Sequence, residues 1–119
     1  MDAPQPLQIT LKKADRVLEV SFDDGRVYRL GFEYLRTHSP SAEVKGHGGT
    51  PMPPVVGKEN VRVVGVEPVG QYAVRLVFDD GHDSGLFTWK YLHELGSEHP
   101  RRWAEYRQRV QAAAQAAQQ

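Results

Sequence analysis

The sequence predicts a small α+β domain, built from hairpin-rich antiparallel sheets and short helices, with a further helix at the C-terminal end. Three observations carry that expectation. Apolar and polar residues alternate in several short runs, Asp-Gly turns separate two pairs of those runs, and a hairpin-then-helix pattern occurs twice. A chain of 119 residues places all of this around a single core.

Leu7, Ile9 and Leu11 face one way and Gln8, Thr10 and Lys12 the other, which is the period of a half-buried strand, and Ala14-Asp15 turns the chain. Leu18, Val20 and Phe22 alternate likewise, and Asp24-Gly25 leads into the run 27–30. Glycine adopts positive φ without a steric penalty, so Asp-Gly between alternating runs signals a tight hairpin and completes a three-strand meander. Phe32, Tyr34 and Leu35 then suit a short helix, stopped at Ser39-Pro40 because proline disfavours helical backbone in the residue before it. Glycines and prolines crowd 39–60, which reads as a long loop and so as a place where function concentrates. Beyond it, 61–66, 73–78 and a run ending near Phe87 read as three more strands, the last two joined at Asp80-Gly81. Thr88 caps a helix that runs through Leu95 and ends at Gly96. In 97–119, Pro100 suits a first helical turn and Trp103, Tyr106 and Val110 share a face. Residues 111–119 are all Ala and Gln, which favour helix yet bury little, so fraying is expected beyond about Ala113.

The two hairpins echo each other: Leu18-Glu-Val-Ser-Phe-Asp-Asp-Gly-Arg aligns with Val74-Arg-Leu-Val-Phe-Asp-Asp-Gly-His, and Tyr34-Leu35 is answered by Tyr91-Leu92. Two copies are too few for a solenoid, so the echo predicts a pseudo-repeated single domain.

Composition narrows the function. Fifteen basic and fifteen acidic residues balance to zero, which argues against a protein that coats nucleic acid or anionic membrane. Without cysteine there is no disulfide, thiolate nucleophile or Cys-based zinc site. The first residues lack the basic start and apolar run of a signal peptide, so a cytoplasmic location is expected. None of the five histidines begins the His-x-Asp/Glu pattern of an iron oxygenase. His93-Glu94 lacks a second histidine four residues on, Gly57-Lys58 lacks the rest of a P-loop, and His47-Gly48-Gly49 has no serine elbow to serve. The run 79–84 gathers carboxylates around His82, as a polar hairpin tip or a cation site would. Arg101, Arg102, Arg107 and Arg109 make the last helix locally basic, tempered by Glu98 and Glu105 into a solvated face.

The segment 30–44, Gly57-Lys58, and the segment 69–85 followed by Trp89, Tyr91-Leu92 and Leu95-Gly96 together resemble the gamma-butyrobetaine hydroxylase-like N-terminal domain family, in the form of a stand-alone bacterial member. The resemblance covers 7–96, leaving 1–6 as a flexible N-terminus and 97–119 as the C-terminal helix with its frayed tail. It implies a domain that, in the eukaryotic hydroxylase, precedes a separate catalytic domain for iron and 2-oxoglutarate and holds zinc on three cysteines and a histidine. Here Ser39, Ser41 and Val44 stand at the cysteine positions and His82 at the histidine. Hydroxyls and an alkyl group do not replace thiolates, so no cofactor is expected for folding. Similar domains appended to iron–sulfur carrier ATPases imply a link to metal-cofactor metabolism or partner docking. The expected function is therefore a non-catalytic accessory or interaction module with a protein partner, not an enzyme, and with no nucleic acid or membrane as partner. Its partner surface is expected on Trp103, Tyr106 and Val110. The alternative is an iron- or zinc-binding protein using His38, His47 and His82 with Glu43 or Asp83, and a hydrolase centred on His82 and Asp83 ranks last.

Overall fold

Alternating apolar residues pair into two antiparallel sheets in the computed structural model, which describes residues 4–40 and 54–117. The first sheet has β1 (Pro6–Lys12), β2 (Val17–Phe22) and β3 (Val27–Gly31) in that order. The second has β4 (Val63–Val69), β5 (Ala73–Phe78) and β6 (Leu86–Thr88), also in chain order. Each sheet is followed by a helix, α1 (Phe32–Thr37) and α2 (Trp89–Ser97), and α3 (His99–Ala117) closes the chain. Among the described residues no helix is long and apolar enough to cross a membrane.

The echo in the sequence is a repeat in the structure. Both Asp-Gly hairpins close with the same bonds: the Phe22 amide donates to the Arg26 carbonyl at 2.8 Å, and the Phe78 amide to the His82 carbonyl at 3.0 Å. Gly25 and Gly81 sit at φ 84° and 91°, and the Asp24 and Asp80 carboxylates accept the Arg26 and His82 amides. The first strand of each sheet also carries a matching register shift, between Pro6 and Gln8 in β1 and between Val63 and Gly65 in β4. The inward residues of both sheets, Leu18, Val20 and Phe22 with Val74, Leu76 and Phe78, meet Leu35, Leu92 and Leu95 in one buried cluster.

Two elements differ from expectation in their bounds. The strand expected over 61–66 begins instead at Val63, because the Asp79 carboxylate takes the Arg62 amide at 3.0 Å in place of a ladder bond. It continues through Pro68, which an edge strand tolerates. Gly96 lies inside α2 and does not end it; a Cβ there would meet the Tyr28 ring, so this glycine serves close packing against β3. Thr88 caps α2 as expected, its hydroxyl accepting the Tyr91 amide at 3.0 Å. Helical geometry in α3 reaches Ala117, and residues 111–116 are exposed.

Candidate functional site

The repeats face each other through exchanged contacts. Tyr34 of α1 donates its hydroxyl to the Leu95 carbonyl of α2 at 2.7 Å, while Tyr91 of α2 donates to the His38 carbonyl at the end of α1 at 2.5 Å. The charged tips follow the same rule: Arg36 of α1 reaches Asp80 in the second hairpin at 2.8 Å, and His93 of α2 reaches Asp24 in the first, also at 2.8 Å. When i of one half meets j of the other and j meets i, the halves are related by an approximate two-fold.

Polar and titratable side chains gather at one end of this arrangement, where α1 meets the second hairpin. One Asp80 oxygen accepts both Arg36 and Lys58, the latter at 2.7 Å, while the other oxygen takes the His82 amide at 3.1 Å. Partial burial alone pushes this carboxyl upward; the bonds from Lys58, the His82 amide and Arg36 outweigh that and hold it well below the usual carboxylate range. His82 Nε2 lies 2.9 Å from Ser39 Oγ, and Ser39 is fully buried. Burial, reinforced by the Arg36 charge, keeps the His82 imidazole below its ordinary value.

His38 is buried one residue before Ser39, with Nδ1 3.0 Å from the Tyr34 carbonyl and 3.1 Å from Thr37 Oγ1. Burial holds this imidazole below its ordinary value too, with Arg102 and His99 acting in the same direction and the Tyr34 carbonyl opposing them. Asp83 is drawn to Arg75, 3.7 Å away on β5. Tyr106 is buried against this end: its hydroxyl donates to the Val55 carbonyl at 2.5 Å, its ring lies 5.9 Å from His38, and Trp103 stacks on it at 5.1 Å. Trp103 also meets Tyr34 edge-on at 5.9 Å. Val110 is half-buried one turn further along α3.

Of the five residues the sequence suggests for a metal, the fold brings His82 onto the Ser39 hydroxyl, next in the chain to His38, whose Nδ1 instead meets Tyr34 and Thr37. His47 and Glu43 lie outside the described residues. Among the described residues no three His, Asp or Glu side chains converge as a metal site. The zinc ligand set implied by the resemblance does not fit at the described positions: a neutral hydroxyl and an imidazole already joined to it stand where a thiolate and a metal-bound histidine would be. Arg36, Lys58, Tyr34 and Tyr91 join this region without being among the candidates the sequence offers. The signal for Arg36 was present in the echo, since position 36 answers position 93 as Asp24 answers Asp80.

A family profile described as gamma-butyrobetaine hydroxylase-like, N-terminal, matches residues 9–93. A crystal structure from Acidithiobacillus ferrooxidans, of a protein of unknown function in the DUF971 family, is 48% identical, with a TM-score of 0.66 over 79% of this chain and 94% of that one. Two solution NMR structures, 50% and 44% identical, each superpose with a TM-score of 0.80 over 95% of this chain, covering 89% and 84% of theirs. No curated protein matches the chain.

Proposed function

The chain belongs to the gamma-butyrobetaine hydroxylase-like N-terminal family, and from that premise we propose that it is a non-catalytic accessory module that acts by binding another protein. The observation that supports this reading is the use to which the polar cluster at the junction of the halves is put. Asp80, Arg36, Lys58, Ser39 and His82 bind one another across the junction of the two halves, and Ser39 is buried beyond the reach of a substrate. General acid–base or nucleophilic chemistry needs such groups aimed at a space where a reacting atom can sit. A link to iron or zinc metabolism enters through the partner in this reading; metal binding by the chain itself would need ligands beyond His38 and His82.

Affinity purification from the native host, with quantitative mass spectrometry and metal analysis of the bait, tests the proposal. A protein partner recovered in near-stoichiometric amount is the expected result. Turnover of gamma-butyrobetaine coupled to 2-oxoglutarate and iron(II) by the pure chain would contradict it.

A further inference from the structure

The approximate two-fold fails where each half lays its third strand against the helix end of the other. In the first half-interface the Tyr28 ring lies directly on Gly96, where no Cβ would fit. The positions that answer them are Gly85 and Ser39, and there the residue on the strand side has no side chain at all. Ser39 takes up the room: a Cβ on Gly85 would collide with its hydroxyl. The hydroxyl in turn meets His82 Nε2 at 2.9 Å, so an aromatic ring in one half is replaced by a hydrogen-bonded pair in the other.

We infer that Ser39 and His82 form a metal-free clasp that joins the end of α1 to the second hairpin, doing with a hydrogen bond what a metal ion bound between these two positions would do. Three observations converge on this. Ser39 is fully buried, so its hydroxyl needs an internal partner. Gly85, lacking a Cβ, leaves the space that the serine hydroxyl occupies. Of the carboxylates near His82 that a cation could use, Asp80 is bound by Arg36 and Lys58, and Asp83 faces Arg75. The clasp fixes where the chain leaves α1.

The test combines metal analysis with a double-mutant cycle on the full chain. The wild-type protein is expected to melt at the same temperature with EDTA, with added zinc and with neither. Ser39→Ala and His82→Ala should each lower that temperature by about 4–8 °C, the effect of one lost hydrogen bond in a domain of this size, and the double variant should lose little more than the worse single variant. A melting temperature that falls on chelation, or near one equivalent of metal in the wild type that is missing from His82→Ala, would overturn the inference. So would strictly additive losses in the cycle. The chelation arm keeps the test decisive if a variant does not fold, and it is independent of whether a protein partner is ever found.

Discussion

Gly85 and Gly96 show how much one missing side chain decides in this protein. Each is the floor on which a residue from the other half rests, Ser39 on one and Tyr28 on the other. Gly85→Ala is expected to destabilise the wild type by about 1–3 kcal/mol through overpacking. In a Ser39→Ala background, where the obstructing hydroxyl is gone, the same substitution should cost clearly less; chemical denaturation of the four proteins in the cycle measures the difference. The exchanged tyrosines give a second expectation. Tyr34→Phe and Tyr91→Phe each remove a hydroxyl from a helix-end carbonyl of the opposite half, and each should cost about 1 kcal/mol with the aromatic packing retained. A tyrosine whose removal left denaturation unchanged would show that its bond contributes nothing to joining the halves.

Among the elements, the hairpins and the capped start of α2 were legible in the sequence because their determinants are local: glycine at positive φ, an aspartate that accepts the amide two residues on, a threonine that accepts the amide three residues on. What was not legible depends on residues far away in the chain. Gly96 reads as a helix stop until Tyr28 is seen to occupy its missing Cβ, and Val61 reads as strand until Asp79 is seen to take the Arg62 amide. The meeting of Ser39 with His82 was visible only through the family resemblance, since no periodicity connects them. Helix α3 is held by aromatic contacts of Trp103 with Tyr34 and of Tyr106 with His38, so its docking should respond to acid. His38 is held below its ordinary value in the folded protein, so unfolding takes up protons as the pH falls. Its contribution is complete above about pH 6.5, the unfolded value, and is lost below that as pH falls toward the folded value. Thermal melts at pH 7.5 and 5 should therefore show a larger loss for the wild type than for His38→Gln; equal losses would remove His38 from the account. Along the same helix, Trp103→Ala should cost about 2–3 kcal/mol for a partly buried indole, whereas deleting 111–119, whose described side chains are exposed, should cost less than about 0.5 kcal/mol. Comparable losses in denaturant would defeat that division.

At the scale of the whole molecule, two similar halves are closed on each other by contacts that each half gives and receives: tyrosine to carbonyl, and a basic group to the hairpin aspartate. The sequence carried this organisation in its echo, which gave the repeat though not the axis, because the reciprocity of 34 with 95 and of 91 with 38 appears only when the halves are docked. The central claim is that these reciprocal contacts make one cooperative unit, in which the polar groups at the junction hold structure together. Native-state hydrogen exchange tests it most directly. The amides of β2 and β5, one from each half, are predicted to exchange through a common opening with the same free energy, equal to that of global unfolding. Markedly lower protection in one of these strands, showing that its half opens while the other stays closed, would contradict the account.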